Sequence, residues 1–330
     1  MTLDPDVAGF LSALRSAGAP PGFSGTPGEM RERMRNAIEG NWDPAEFAPV
    51  KSVDDVAVDG LRLKVVRPLA DGPAPTVVYF HPGGFIMGSA HLMQDVARRL
   101  AHDLGAWVVS VDYRLAPEHP FPAAVEDAMT ALRWVAGHVG DLGGDPARVG
   151  LAGESSGANL AAVTARRARD AGIPVAGQLL ASPVTNFAAR YPSVAENADG
   201  YFLTRDDLAV IRKLYFGDDD ARAADPLVSP ALAPDLTGVA PAVIGVAGFD
   251  PLRDDGTVYA ARLLEAGVPT ALRVYPGLIH PFFGMPGLSP AADAAVSELT
   301  GLLGDLLGGP LDGPLDGSLD RAPAATEEDA

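Results

Sequence analysis

Short apolar runs alternate with amphipathic stretches along the chain from about residue 50 onward. The apolar runs are bounded by turn residues and stand at 62–67, 76–80, 107–111, 149–152, 178–182, 242–247 and 272–275. Between them, apolar positions recur with helical spacing at 91–104, 123–137, 156–170 and 257–266. Strands that are apolar throughout and separated by helices are typical of a parallel sheet covered on both faces. The pattern therefore predicts an α/β fold.

Three segments depart from this alternation. Residues 1–45 carry two short helical faces separated by a Gly- and Pro-rich stretch at 18–28. Residues 186–225 are too long for a simple connection and predict an inserted helical element, which we expect to form a cap together with residues 1–45. Residues 309–330 repeat Gly, Pro, Leu and Asp and end in an acidic stretch, so we predict disorder there. The main domain then spans 46–308.

Acidic residues outnumber basic ones by 43 to 25 among the 330 residues, which gives a formal net charge of −18. A surface of this sign repels nucleic acids and anionic membranes, so we expect neither as a partner. No apolar run approaches the roughly 18 residues that a spanning helix needs. Asp4 and Asp6 stand where a secretory signal would carry basic residues, so we expect a cytoplasmic protein. The absence of cysteine excludes disulfides, thiolate nucleophiles and Cys-ligated zinc.

The most informative motif is Gly153-Glu154-Ser155-Ser156-Gly157, which follows an apolar strand and precedes a helix. This is the context of a nucleophile elbow, in which a serine sits on a strained strand-to-helix turn. The flanking positions are glycines because side chains there would collide across the tight turn. We therefore predict Ser155 as the nucleophile, with Ser156 as a competing serine that lacks the symmetric glycines. The alternative is a plain strand-to-helix turn without a catalytic role.

A second glycine-rich turn lies upstream, where an apolar strand runs into His81-Pro82-Gly83-Gly84-Phe85. Glycines let backbone N–H groups approach a substrate oxygen closely, as an oxyanion hole requires. The turn therefore predicts the donors that a serine esterase needs in addition to its nucleophile.

The two motifs, together with the Asp-Tyr-Arg-Leu-Ala-Pro-Glu-His-Pro-Phe-Pro-Ala stretch at 112–123, resemble the hormone-sensitive lipase-like family of α/β-hydrolases, of the bacterial carboxylesterase type. The resemblance covers about residues 45–305. It implies the α/β-hydrolase fold, with a mostly parallel central sheet of about eight strands, helices on both faces and a helical cap. It also implies an oxyanion hole made by the amides of Gly83, Gly84 and Ser156, and a homodimer.

The oxyanion loop departs from the family at Pro82, where the family has a glycine. Proline has no N–H to donate. The family's donors are the two following glycines and the residue after the serine, so we expect an intact hole with a stiffer entrance. We expect His81 to support the loop.

Asp250 and His280 complete the predicted site. In α/β-hydrolases the acid and then the histidine follow the serine along the chain, and His280 is the only one of the six histidines after Asp250. Asp250 ends an apolar strand within Asp-Pro-Leu-Arg-Asp, which is similar to the family's Asp-Pro-Leu-x-Asp. We favour it over Asp254 and Asp255, which we expect to lead into the next helix. The alternatives are a capping role for Asp250 and a packing role for His280, whose neighbour Pro281 replaces the family's usual glycine.

These residues predict a serine esterase that cleaves carboxylic esters of short to medium acyl chains through a Ser-Asp-His triad and an acyl-enzyme. No metal cluster, dinucleotide fingerprint or phosphate loop stands in the sequence, so we expect no cofactor and a small-molecule ester as the partner. An amidase or deacetylase acting on a specific metabolite is one alternative, since the same triad cleaves amides. A non-catalytic ligand-binding relative is another, against which the complete Ser155, Asp250 and His280 set argues. The side chains expected to line an apolar pocket under the cap are Phe23, Trp42, Phe47, Phe187, Tyr201, Phe202, Leu203, Leu214 and Phe216.

Overall fold

An eight-stranded sheet forms the centre of the protein in the computed structural model, which describes residues 2–217, 219–285 and 287–308. The strands are β1 (Ser52–Val58), β2 (Leu61–Arg67), β3 (Ala74–Phe80), β4 (Trp107–Asp112), β5 (Gly144–Glu154), β6 (Gly177–Ala181), β7 (Ala242–Phe249) and β8 (Thr270–Ile279). Their order in the sheet is β1-β2-β4-β3-β5-β6-β7-β8. Among the described strands, β2 alone runs against the others. The prediction of a mostly parallel sheet of about eight strands is confirmed.

Helices cover both faces of this sheet, as the sequence predicts. The helices are α1 (Pro5–Ser16), α2 (Pro27–Glu39), α3 (Gln94–Leu104), α4 (Ala123–Leu142), α5 (Ser156–Asp170), α6 (Pro192–Glu196), α7 (Arg205–Phe216), α8 (Asp220–Ala223), α9 (Arg253–Glu265) and α10 (Pro290–Gly308). Helices α3 and α10 pack on one face, and α4, α5 and α9 pack on the other. The described part of the chain contains no helix long and apolar enough to cross a membrane.

The edge strand β1 is the element that the hydrophobic pattern does not predict. Val53 and Val56 are partly covered, whereas Asp54 and Asp55 between them are exposed. A strand that pairs on one side only needs no continuous apolar run. Strand β8, at the opposite edge, extends through Pro276, which an edge strand tolerates because one side of its backbone needs no partner.

The two segments expected to form a cap are helical and contact each other. The N-terminal segment contributes α1 and α2, and the inserted segment contributes α6, α7 and α8. Helix α7 begins at a capping box between Thr204 and Asp207, and the second oxygen of Asp207 accepts the backbone N–H of Phe23 at 3.2 Å. The rings of Phe10 and Phe202 also meet, with centroids 6.0 Å apart. The predicted tail, residues 309–330, lies outside the described residues.

Candidate active site

Ser155 occupies the turn between β5 and α5, at the edge of the sheet where the parallel strands end. Its φ of 57° and ψ of −118° lie in a region that residues with a Cβ rarely adopt. Neighbouring backbone holds this conformation, because the Ser155 amide donates to the Ala181 carbonyl at 2.9 Å and its carbonyl accepts the Asn159 amide at 3.1 Å. A serine on such a turn is the geometry of a nucleophile elbow.

The two glycines of the elbow allow backbone segments to approach each other. A Cβ on Gly153 would lie 2.3 Å from the carbonyl of Gly157, and a Cβ on Gly157 would lie 2.0 Å from the carbonyl oxygen of Phe80 in β3. Neither neighbour is a flexible side chain that can move away. The helix that follows Ser155 therefore starts directly against the ends of β3 and β5.

Asp250 and His280 form a buried hydrogen-bonded pair at the same edge of the sheet. Asp250 follows β7 and His280 follows β8, and their side chains are 0% and 6% exposed. His280 Nδ1 lies 3.0 Å from Asp250 Oδ2, and Asp250 Oδ1 accepts the amide of Leu252 at 2.8 Å. Both carboxylate oxygens are thus engaged, which fixes the orientation of the carboxylate and of the imidazole it holds.

The surroundings of His280 favour its protonated form. Burial lowers the pKa of His280, but the charge of Asp250, the hydrogen bond to Asp250 and the charge of Glu154 together outweigh it and leave the pKa raised. A base of raised pKa accepts a proton more readily. Glu154, which immediately precedes Ser155, is therefore electrostatically linked to the pair.

The glycine-rich loop after β3 turns sharply at Gly83 and Gly84, whose φ values are 127° and 63°. The Gly83 carbonyl accepts the amides of Ile86 and Met87 at 3.1 and 3.0 Å, which closes the turn. Among the described residues, the amides of Gly83, Gly84 and Ser156 donate to no other protein group. Three backbone donors are thus left available, one of them at the first turn of α5, where the helix dipole favours negative charge.

His81 supports this loop from inside the protein. Its Nδ1 lies 2.8 Å from the carbonyl oxygen of Pro82, and its ring stacks on Tyr113 with centroids 4.1 Å apart. The Tyr113 hydroxyl donates back to the His81 carbonyl at 2.8 Å. Burial lowers the pKa of His81 to about 4, so the imidazole is neutral at pH 7. Pro82 has no N–H, yet its carbonyl takes part in holding the loop.

Arg31 of α2 is a support that sequence reasoning missed. Its Nε donates to the Ile86 carbonyl at 2.8 Å, and its Nη2 donates to the Ala116 carbonyl at 2.9 Å. Both terminal nitrogens also bind the Glu118 carboxylate, at 2.8 and 2.6 Å. The N-terminal helix is thereby tied to the oxyanion loop. Nothing in the local sequence around Arg31 signals partners that lie 55 to 87 positions away.

The aromatic residues expected to line one apolar pocket do not form a single wall. Phe23 approaches the oxyanion loop, since a Cβ on Gly84 would lie 2.6 Å from its Cε1 and 2.8 Å from Ile211 Cγ1 of α7. Trp42 and Phe47 instead line a cleft of about 730 Å³ beside the segment that follows His280. The remaining aromatic contacts are spread over several elements: Phe187 with Phe216 and with Phe85, Phe202 with Phe10 of α1, and Tyr201 with Phe249.

Asp254 and Asp255 lie in the first turn of α9, as expected, but they also anchor the inserted segment. Asp254 accepts the amide of Ser193, and buried Asp255 accepts the amides of Thr185 and Asn186, both at 2.8 Å. Burial raises the pKa of Asp255 to about 7, although the two amides oppose the shift.

A serine on a strand-to-helix turn, with an aspartate and a histidine at the ends of later strands of one parallel sheet, is the arrangement of an α/β-hydrolase. The family described as alpha/beta hydrolase fold matches residues 77–284. The chain belongs to this family. The resemblance to its hormone-sensitive lipase-like members is confirmed by relatives that extend over most of the sequence.

Two mycobacterial proteins and one archaeal structure illustrate the similarity. The chain is 42% identical to carboxylesterase NlhH of Mycobacterium tuberculosis, over 88% of this chain and 93% of that protein. It is 43% identical to esterase LipI of the same organism, over 76% of this chain and 80% of that protein. The solved structure of a hyperthermophilic esterase from Pyrobaculum calidifontis matches with a TM-score of 0.87 at 38% identity, covering 93% of this chain and 99% of that chain.

Proposed function

We propose that this chain is a carboxylesterase that hydrolyses carboxylic esters of short to medium acyl chains through an acyl-enzyme. The observation that carries the proposal is the buried Asp250–His280 pair, 3.0 Å apart, at the sheet edge where Ser155 occupies its strained turn. The carboxyl ends of parallel strands meet at one edge, which is where open α/β sheets place their ligands.

In the proposed reaction, Ser155 Oγ attacks the ester carbonyl while His280 takes the hydroxyl proton. Asp250 orients the imidazole and stabilises the imidazolium that forms. The amides of Gly83, Gly84 and Ser156 hold the oxyanion. The imidazolium then gives its proton to the departing alcohol, which leaves the acyl group on Ser155. Water repeats the two steps on the acyl-enzyme, releasing the acid and restoring the serine.

The names of several relatives support an ester as the substrate. Besides the mycobacterial carboxylesterase, the chain is 33% identical over 91% of its length to an arylesterase of Saccharolobus solfataricus. It is 34% identical over 89% of its length to an ethyl acetate hydrolase of Pseudomonas putida. These names cover esters with different alcohols, so they support ester hydrolysis as the reaction class.

We further propose that residues 1–45 and 186–225 act as one cap over the catalytic domain at 46–308. The contacts of Phe23 and Ile211 with Gly84 support this role, because they place apolar cap side chains directly against the oxyanion loop. An acyl chain bound there would replace water beside apolar groups, which favours esters over more polar substrates.

The assembly and location of the protein are also proposals. A homodimer is supported by the open sheet edge at β8, where Val274 is 47% exposed, and by Leu264, 55% exposed on the adjacent α9. A cytoplasmic location is supported by a cysteine-free sequence, which needs no oxidising compartment. Analytical ultracentrifugation and cell fractionation test the two proposals.

The reaction is tested with 4-nitrophenyl esters of increasing acyl length and matched 4-nitroanilides on the purified protein. We expect the esters to be hydrolysed with a maximum of kcat/KM at short to medium chains, and Ser155→Ala to lower kcat by at least about a thousandfold. A fluorophosphonate probe should label Ser155, as located by mass spectrometry. Labelling of Ser156 instead would refute the assignment of Ser155 as the nucleophile. If kcat/KM for the anilides equals that for the matched esters, the amidase or deacetylase alternative would replace the esterase proposal.

A further inference from the structure

Glu154 is a buried carboxylate that the proposed reaction does not use. It ends β5, immediately before Ser155, and its side chain is 0% exposed. Burying a carboxylate is costly unless hydrogen bonds or opposite charges compensate for the lost hydration. The partners of Glu154 therefore indicate what it does.

The carboxylate of Glu154 reaches from the elbow to the segment that carries His280. Its Oε1 accepts the amide of Phe283 at 2.9 Å, and Phe283 lies three positions after His280. Its Oε2 lies so close to Gly284 that a Cβ on that residue would stand 2.5 Å from it. One side chain thus joins the backbone that holds the nucleophile to the backbone that holds the base.

The ionisable groups that face Glu154 come from three strands or strand ends: His280 after β8, Asp250 after β7 and Tyr79 in β3. Burial raises the pKa of Glu154 to about 7, while the charge of His280 and the amide of Phe283 oppose the rise. In the other direction, the charge of Glu154 adds to that of Asp250 in raising the pKa of His280. Protonation of Glu154 and of His280 is therefore coupled.

We propose that Glu154 is a positioning residue for the hydrolysis proposed above, and that it acts in two ways. Its hydrogen bond to Phe283 holds the His280 segment at a fixed place relative to Ser155. In its ionised form Glu154, together with Asp250, stabilises the imidazolium that forms when Ser155 attacks. Glu154 itself neither gains nor loses a proton in this step, since the proton moves only from Ser155 Oγ to His280.

Asp255 provides a matched control. It is also buried, accepts two backbone amides and has a pKa raised to about 7, and it is electrostatically linked to Asp250. However, its donors, Thr185 and Asn186, lie after β6 and not in the His280 segment. A substitution at Asp255 therefore tests what the loss of a buried carboxylate does by itself.

The experiment measures kcat, KM and the pH profile of kcat/KM with a 4-nitrophenyl ester for wild type, Glu154→Gln, Glu154→Asp and Asp255→Asn. Glutamine keeps an acceptor for Phe283 and removes the charge. We expect the acid limb of its profile to move to lower pH by about half a unit or more, because His280 loses a neighbouring negative charge. Aspartate keeps the charge and withdraws the carboxylate by one methylene. We expect it to lower kcat about tenfold, with little change in KM and with the acid limb in place.

The outcomes separate the positioning role from mere folding and from the reaction itself. Asp255→Asn should lower the melting temperature while leaving the acid limb where wild type has it. A Glu154→Gln limb that coincides with wild type would overturn the electrostatic part, and full kcat in Glu154→Asp would overturn the positioning part. If Glu154→Gln does not fold, the aspartate variant still decides the positioning part. The NMR titration of His280 in wild type then decides the electrostatic part, since coupling to Glu154 makes the curve depart from a single-site titration and a single-site curve would overturn it. This inference rests on the proposed function, which fails if wild type hydrolyses no ester; variants that match an active wild type overturn this inference alone.

Discussion

The nucleophile elbow and the oxyanion loop lie side by side at the candidate site, yet different parts of the molecule hold them in place. The elbow is held by backbone: Gly153, Ser155 and Gly157 contact main-chain atoms of β3, β6 and each other. The oxyanion loop closes its own turn through backbone bonds, but side chains of distant segments also hold it, above all Arg31 of α2 and Tyr113 after β4. Its conformation therefore depends on segments that are distant in sequence.

This difference separates two kinds of control over one reaction. A change at the elbow has to disturb the sheet, because no flexible group stands between the glycines and the strands. A change in the proposed cap reaches the loop of the proposed oxyanion donors through Arg31, which bonds the Ile86 and Ala116 carbonyls and not Ser155, Asp250 or His280. Substitutions at the elbow and in the cap should consequently have effects of different size and different kind.

The largest effect is expected at the elbow. In Gly157→Ala the new Cβ would stand 2.0 Å from the Phe80 carbonyl oxygen and 2.7 Å from that of His81, so β3 and the helix have to separate. We expect a loss of about 3 kcal/mol or more in the free energy of unfolding and more than about a hundredfold in kcat. Urea denaturation and ester hydrolysis measure both.

Gly137→Ala in α4 is the control, since a Cβ there meets nothing within 4 Å. It should stabilise the protein by about 0.5–1 kcal/mol, as expected for alanine in an exposed helix position. A Gly157→Ala protein as stable and active as wild type would show that the elbow is not held by backbone contact.

A smaller effect, visible only in the pH dependence of stability, is expected for His81. Its pKa is about 4 in the folded protein and about 6.5 when exposed, so the unfolded state binds more protons between these values. This contribution to stability is present above pH 6.5 and is lost as the pH falls toward 4. Between pH 7 and pH 5, the free energy of unfolding of wild type should fall by about 2 kcal/mol more than that of His81→Gln.

The measurement is the urea midpoint of both proteins at several pH values. His138→Gln removes an exposed histidine and should follow wild type throughout. Parallel curves for wild type and His81→Gln would mean that a neutral His81 is not required under the oxyanion loop.

The smallest effect is expected from the cap. Arg31→Met removes the hydrogen bonds to Ile86 and Ala116 while keeping an apolar stem of similar length. We expect kcat to fall about five- to tenfold, or about 1 kcal/mol of transition-state stabilisation, with the acid limb of the pH profile unchanged. Arg35→Met, on an exposed position of the same helix, should keep wild-type kcat. A shifted acid limb in Arg31→Met would contradict the separation of the two regions.

The same difference explains what the sequence could and could not predict. The six inner strands were visible because buried strands are apolar throughout, and the edge strand β8 was visible through its apolar run at 272–275. The other edge strand, β1, was missed because Asp54 and Asp55 interrupt its apolar pattern. Ser155 was recognisable because all the constraints on it fall within five consecutive residues. The prediction of Asp250 and His280 also needed the order of residues along the chain and their positions at strand ends. The structure brings their side chains together.

The contacts of Glu154 and Arg31 could not be predicted in this way. Each residue is an ordinary charged residue in its own segment, and its partners are defined only once strands and loops from elsewhere have come together. A buried carboxylate one position before a nucleophile is nevertheless a detectable signal, because the preceding strand leaves it no route to solvent. Arg31 offers no comparable signal, since most arginines on helices are solvated.

The bond between the Phe23 amide and the Asp207 carboxylate joins segments 184 positions apart, and it bears on how this enzyme family can be recombined. The carboxylate caps α7 and also accepts the amide of Phe23 in the N-terminal segment, so this residue couples the two segments structurally. A chimera that takes α1 and α2 from one relative and α7 from another would have to re-form this hydrogen bond. Exchanging both segments together would transfer the hydrogen bond intact to a new catalytic domain.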